Sequence, residues 1–277
     1  MEGPIRYFML PLLLLMWGGF YWLWSHGLLS TPLIIGIAAT HLICLMIFYQ
    51  FIYVFTFGYA LIMVLLPLFY AAAYSPNLPA SVFLAVPILY GLRLGLFIWR
   101  RDQSDSYAAH AQRSRQATNT VPRPLVIIIW LFVSALMFFI TFNAWVVASS
   151  DRINATIWLA VLVMLTGLGI EAIADRQKQA LKRINKDAFC QIGLYRKIRH
   201  PNYLGEIIFH MGFYWGMVAS SEQFYPLILG GFGTGWMLAI MCSEAFALDR
   251  KQQARYQDME EFEAYRNRTG LLLPRLF

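Results

Sequence analysis

The sequence predicts an all-α, polytopic integral membrane protein with seven transmembrane helices, possible eight if every apolar run crosses, and a short cytoplasmic C-terminal helix. Three observations predict it. The chain has 277 residues, of which 59% are hydrophobic and only 13% charged, far too apolar a balance for a water-soluble domain. Its apolar residues fall into runs near the roughly 20 residues that a helix needs to cross about 30 Å of hydrocarbon. Its basic residues gather between those runs, as they do in cytoplasmic membrane loops.

In chain order the runs cover residues 7–29, 32–49, 57–73, 80–99, 125–148, 155–174, 203–219 and 224–246. The first is rich in Trp and Tyr and lacks a small-residue cleavage site, so it is expected to stay as an anchor. Between Leu33 and Tyr74 only Gln50, Thr56 and Gly58 mark a turn, which leaves a re-entrant or strongly tilted segment as an open alternative. The stretch from Arg100 to Arg123 is expected to be a solvated basic loop. Two further basic blocks, Asp175 to Pro201 and Asp249 to Arg275, alternate with short and nearly uncharged connections at 75–79, 149–154 and 220–223. The three basic blocks are therefore assigned to the cytoplasmic side, and the sequon Asn154-Ala155-Thr156 to the opposite face. In the last block Arg250 to Tyr265 combines helix formers with acids, predicting one helix that ends near Asn267 to Gly270. Leu271, Leu272 and Leu273 then return to an apolar surface. The whole chain, 1–277, is expected to be a single membrane-embedded domain.

The net charge of +7 follows from this loop topology and does not indicate nucleic acid; an anionic ligand is the other reading. Cys44, Cys190 and Cys242 are scattered and have no CxxC spacing, so neither a disulfide framework nor a metal cluster is expected. His26, His41 and His210 likewise lack metal-ligand spacing. Gly230-Gly231-Phe232-Gly233-Thr234-Gly235 looks like a phosphate loop, but it lies inside an apolar run with no preceding strand. Close helix packing is the better account.

Chemistry-bearing residues concentrate from Glu171 to Glu206. Glu171, Asp175, Lys178 and Lys182 share one helical face where the sixth run meets the polar block. Snorkelling lysines at a solvated helix end are one explanation of the stripe, but an acid one turn inside the membrane calls for a partner or a water-filled cavity. Arg196, Lys197, Arg199 and His200 come just before Pro201, which disfavours helix at His200 and can open a new helix. That arrangement points basic side chains and backbone N–H groups at one place, which suits phosphate oxygens. Asn202 and Glu206 enter the apolar run together, which a plain positive-inside cluster does not predict. Tyr90 and Arg93 lie one turn apart in the fourth run, and a guanidinium can help a phenol donate a proton. Gln50 lies in another apolar stretch and needs a hydrogen-bond partner if buried.

The segments Ile170-Glu171-Ala172-Ile173-Ala174-Asp175-Arg176-Gln177-Lys178, Gly193-Leu194-Tyr195-Arg196 and Arg199-His200-Pro201-Asn202-Tyr203-Leu204-Gly205-Glu206 together resemble the steroid 5α-reductase family. The similarity extends to Leu89-Tyr90-Gly91-Leu92-Arg93-Leu94-Gly95 and to Tyr256, Tyr265 and Leu273-Pro274, and so covers roughly Val86 to Phe277, with residues 1–80 contributing little. It implies a seven-helix enzyme that uses NADPH to reduce a C=C bond conjugated to a ketone, in a 3-oxo-Δ4-steroid or similar enone lipid entering from the bilayer. Asp175, Lys178 and Lys182 would then lie along the cofactor with Glu171 nearby, and Asn202 and Glu206 would hold its nicotinamide or ribose end. Arg93, Tyr195, Arg199, Tyr256 and Arg268 are further cofactor candidates. Tyr90 matches the tyrosine at the substrate ketone. Gln50 matches the glutamine of a supporting Gln-Glu pair, but Phe51 stands where that pair has its carboxylate. Membrane methyltransferases that use S-adenosylmethionine on isoprenylated cysteines or phospholipids share the Arg-His-Pro-x-Tyr core, and they form the alternative reading. No obligate protein partner and no metal are implied. The membrane would be a bacterial inner membrane or the endoplasmic reticulum.

Overall fold

The computed structural model describes residues 5–103, 121–151, 153–185 and 187–275, and among these there is no strand. The helices are α1 (Ile5–Ser25), α2 (Thr31–Phe48), α3 (Phe51–Tyr74), α4 (Leu78–Asp102), α5 (Arg123–Ser149), α6 (Ile157–Ile184), α7 (Pro201–Val218), α8 (Phe224–Arg255) and α9 (Glu260–Arg268). Among the described residues six of them, α2 to α6 and α8, are long and apolar enough to cross a membrane. α7 has 18 residues, but Asn202, Glu206 and His210 make it more polar than these six.

Helix boundaries follow local chemistry. Ser30 and Asn77 cap α2 and α4, their side-chain oxygens accepting from Leu33 N and Ala80 N, each with Pro in the first turn. Gln50 breaks the apolar stretch between α2 and α3, its backbone extended at φ −156° and ψ 122°. Two helices of 18 and 24 residues result, each long and apolar enough to cross a membrane. Thr56 and Gly58 fall within a π-helical turn, Val54–Gly58, and do not end the helix. α4 runs on through Arg100 and Arg101 to Asp102, past the expected boundary at Trp99, because cations in a last turn complement the helix dipole. The rest of the expected loop, residues 104–120, lies outside the described residues.

The C-terminal block is a correction. Arg250 to Tyr265 is not one helix: α8 ends at Arg255, and α9 starts at Glu260 after an extended Met259 (φ −104°, ψ 107°). Three acids, Glu260, Glu261 and Glu263, occupy the first turn of α9 and favour a fresh N-terminus there. The buried Tyr256 holds the intervening turn, its carbonyl accepting from Met259 N at 3.0 Å.

The chain divides into two compact units, Met1–Ile157 with Gly216–Gly233, and Trp158–Trp215 with Thr234–Phe277. In the first, α5 is the hub, buried continuously from Phe132 to Ala148. Phe20 stacks on Phe139 at 5.1 Å between ring centroids, and Phe139 meets Phe232 edge-on at 5.7 Å. A Cβ on Gly233 would lie 2.6 Å from the Ile140 nitrogen, and one on Gly230 would meet Asn143 Oδ1. The glycine run thus serves close helix approach. The Tyr74 hydroxyl accepts from Trp145 Nε1 at 3.0 Å and pairs with Ser30 Oγ at 2.9 Å. Asn154 N donates to Ala219 O at 2.8 Å, and Ser150 Oγ to Ser220 O at 2.7 Å. These bonds hold the connections at 75–79, 149–154 and 220–223 near one another within this unit.

Candidate functional site

The second unit holds most of the sequence-predicted site. α6 extends ten residues past the apolar run because Gln177, Lys178, Gln179, Ala180, Leu181 and Lys182 are good helix formers, with Lys182 and Arg183 closing its last turn. Glu171, Asp175, Lys178 and Lys182 therefore form one continuous stripe. Glu171 and Asp175 are buried, whereas Lys178 and Lys182 are half-buried.

Three glycines seat α7 on α6. A Cβ on Gly205 would lie 2.6 Å from Glu171 N, 2.7 Å from Gly167 O and 2.9 Å from Glu171 Cβ; one on Gly212 would lie 2.8 Å from Met164 N. Gly167 makes the reciprocal approach to Phe209 N and Gly205 O. Only glycine permits this backbone contact. It brings the first turns of α7, which carry the half-buried Asn202 and Glu206, against the turn of α6 that carries Glu171.

Lys178, Lys182, Cys190, Tyr195, Arg199, Gln252, Tyr256 and Tyr265 line a small solvent-open cleft. Five predicted cofactor residues thus converge: Lys178, Lys182, Tyr195, Arg199 and Tyr256. The Tyr195 ring is 3% exposed, and its hydroxyl has no hydrogen-bond partner among the described residues. Burial, and then the Asp175 carboxylate, push its pKa up, so the phenol is a donor throughout the ordinary pH range. Burial also raises the Cys190 thiol, against the pull of Lys178 and Lys182. An aromatic cluster of Phe189, Tyr256, Phe262 and Tyr265 backs the cleft, with Phe189 5.1 Å from Phe262 and 5.3 Å from Tyr265.

Arg199 is tied from several sides. Its Nε donates to Asp249 Oδ1 at 2.7 Å, and its Nη1 to Thr269 O at 2.5 Å, Arg266 O at 3.2 Å and Thr269 Oγ1 at 3.3 Å. Asp249 also accepts from Arg266 Nη2 at 3.1 Å. The segment 197–200 runs parallel to the tail: Gly270 N donates to Lys197 O, Arg199 N to Gly270 O and His200 N to Leu271 O. The expectation that these backbone N–H groups point at a ligand is corrected for Arg199 and His200, whose amides are satisfied by the tail. His200, 1% exposed, stacks on Tyr203 at 5.7 Å. Burial first, then the positive Lys178 and Arg199, lower its pKa to about 4 against the opposing Asp249, so the ring is neutral at pH 7. Pro201 is the first residue of α7, as predicted.

The remaining candidates lie apart from this cleft's lining. Arg268 donates to Gln191 Oε1 at 2.8 Å and rides over the Tyr265 ring at 5.8 Å. In the first unit, Arg93 sits 5.3 Å over the Phe97 ring. Tyr90 is fully buried and meets Tyr59 edge-on at 6.1 Å. A Cβ on the adjacent Gly91 would lie 2.5 Å from Ala60 O, so α4 presses against α3 beside Tyr90. Gln50 is fully buried at the α2–α3 break. Among the described residues no cluster of His, Cys, Asp and Glu could hold a metal ion.

Sequence reasoning missed Gln177, Asp249 and Thr269, which organise the cleft. Their partners lie 17 to 70 residues away in sequence, so no local spacing reveals them.

A family model described as "Protein of unknown function (DUF1295)" matches residues 37–269. No curated protein and no solved structure matches.

Proposed function

Since the chain belongs to the DUF1295 family, whose function is unknown, we propose its activity from its own residues: it is an NADPH-dependent membrane reductase of the C=C bond conjugated to a ketone in a steroid-like lipid, converting a 3-oxo-Δ4-steroid to the 5α-reduced 3-oxo-steroid. The observation that carries the reading is the cleft, which Lys178, Lys182 and Arg199 line together with Tyr195, whose buried hydroxyl has no hydrogen-bond partner among the described residues. Clustered cations and a phenol donor suit the phosphate oxygens of a dinucleotide. The resemblance of the segments from Ile170 to Glu206 to the steroid 5α-reductases supplies the reaction class.

In this proposal Lys178, Lys182 and Arg199 neutralise the cofactor's phosphates, and Tyr195 donates to one of them. Tyr256 offers an aromatic wall, with Arg268 as an outer contributor, and Arg93 keeps the cofactor role that the resemblance implies for it. Asn202 and Glu206, seated by Gly205, hold the ribose or nicotinamide end, with Glu171 and Asp175 buried beside them on α6. When bound, NADPH supplies the hydride. Tyr90 donates a hydrogen bond to the ketone oxygen and so polarises the enone, with Gln50 in the supporting role that the resemblance assigns it. α7 serves as a seventh crossing, since 18 residues span about 27 Å, and α1 as an eighth where it inserts fully. The C-terminus is cytoplasmic, in a bacterial inner membrane or the endoplasmic reticulum, and the lipid enters from the bilayer.

Purified protein in detergent tests the reading. NADPH is expected to raise the melting temperature, and NADPH oxidation is expected to depend on a 3-oxo-Δ4-steroid or another enone lipid. Stabilisation by S-adenosylmethionine and not by NADPH would replace it with the methyltransferase alternative.

A further inference from the structure

Between α6 and α7 the chain makes a single 3₁₀ turn, Gly193–Arg196, and how that turn is held bears on what the cleft can do. Gly193 has φ +56°, in the left-handed region, where glycine alone is unstrained. Any Cβ there would collide with the carboxamide of Gln177, so the side chain lies directly under the turn. The next amide, Leu194 N, donates to Gln177 Oε1 at 3.0 Å. On the far side of Tyr195 its carbonyl accepts from the Tyr265 hydroxyl at 3.0 Å, and Thr269 Oγ1 in turn donates to Tyr265 O at 2.7 Å. The backbone around Tyr195 is thus gripped from both directions, by α6 through Gln177 and by α9 through Tyr265. Of the polar groups of Tyr195 only the phenol is without a partner among the described residues, 97% of the residue being out of solvent, and Tyr195 lines the cleft together with Lys178, the next residue after Gln177.

We propose that Gln177 is a positioning residue for the anion site: by holding the Leu194 amide over Gly193 it aims the Tyr195 hydroxyl at the phosphate oxygen that Lys178, Lys182 and Arg199 attract. Gln177 does not itself touch the ligand. Its carboxamide oxygen is spent on the turn, and Gly193 is the residue that lets it come so close. The inference rests on the NADPH reading for the identity of the ligand, but the coupling between Gln177 and Tyr195 is a property of the fold alone.

The test separates the two. Wild type, Gln177→Leu, Tyr195→Phe and the double variant are titrated with NADPH in detergent, with the melting temperature of each recorded. Loss of one donor to a charged oxygen is expected to weaken binding about tenfold or more. Gln177→Leu and Tyr195→Phe should each show it, and the double variant should be no weaker than Tyr195→Phe alone, because Gln177 acts only through that phenol. Multiplicative losses in the double variant, or a Gln177→Leu protein that binds as wild type, overturn the proposal. In parallel, 3-fluorotyrosine placed at position 195 reports the phenol's surroundings without any ligand. Its ¹⁹F resonance should move in Gln177→Leu and return in Gln177→Glu, which keeps an acceptor oxygen for Leu194 N. A resonance unmoved in Gln177→Leu also overturns the proposal. If wild type binds no NADPH while the fluorine signal behaves as expected, the cofactor reading falls and the positioning role of Gln177 stands.

Discussion

Asp249→Ala is expected to be among the most damaging single changes in the second unit. The carboxylate and the guanidinium of Arg199 are 11% and 10% exposed and 2.7 Å apart. Removing one member of a buried pair strands the other charge away from water, at a cost of about 3–5 kcal/mol. Arg199 keeps its bonds to Thr269 and to the Arg266 carbonyl, which places the expected loss at the lower end, about 3 kcal/mol. Arg266, 29% exposed at its side chain, adds little because water replaces its lost partner. Asp249→Asn retains an acceptor oxygen and should lose about half as much. The assay is denaturant unfolding in detergent, run as a double-mutant cycle with Arg199→Met. Since the stranded guanidinium causes most of the damage, Asp249→Ala with Arg199→Met should cost less than the sum of the single changes. Strict additivity, or a loss under about 1 kcal/mol for Asp249→Ala, would refute the idea that this pair ties α8 to the segment before α7.

Gly205→Ala forces a methyl to within 2.6–2.7 Å of the Glu171 and Gly167 backbone and should cost about 1–3 kcal/mol of stability while weakening NADPH binding; an unchanged melting temperature would show that α6 and α7 do not touch there. His200 binds its proton less readily in the fold than its ordinary 6.5, at about 4, so the unfolded chain is protonated first as pH falls. Its contribution is complete above pH 6.5 and is lost between pH 6.5 and about 4, a span worth about 3 kcal/mol; His200→Gln should flatten stability across that window, and an identical pH profile would count against it. Tyr90→Phe should lower turnover by about 10²–10⁴-fold with unchanged NADPH affinity, whereas Asn202→Ala should weaken NADPH binding; steady-state kinetics alongside binding titrations distinguish these, and reversed effects would mean the roles are exchanged. Lys178→Ala should weaken NADPH binding and reduce its salt dependence, because an exposed anion–cation contact is screened by ions; affinity measured across salt concentrations decides it.

The apolar runs, the stripe from Glu171 to Lys182 and the helix that opens at Pro201 were legible in the sequence because each depends on neighbours within a few turns. Hydropathy, helical periodicity and the restricted dihedral of proline act locally, so residue order alone reveals them. The end of α6 at Ile184 instead of Ala174, and the break at Met259, were less legible, since polar helix formers are compatible with both helix and loop until packing chooses. Five of the cleft's lining residues were named from the sequence, but how the cleft is assembled was hidden. The contact between Gly205 and Glu171 joins two helices, Arg199 reaches Asp249 across 50 residues and Tyr265 reaches Tyr195 across 70, and Gln177 supports a turn beyond the end of its own helix. Sequence by itself determined a helical, membrane-compatible chain with an acid–base stripe at one boundary. Only the tertiary structure decided that the lysine end of this stripe lines a cleft shared with Tyr195, Arg199 and Tyr265, because an ion pair or a close helix contact exists only once distant segments have been brought together and dehydrated.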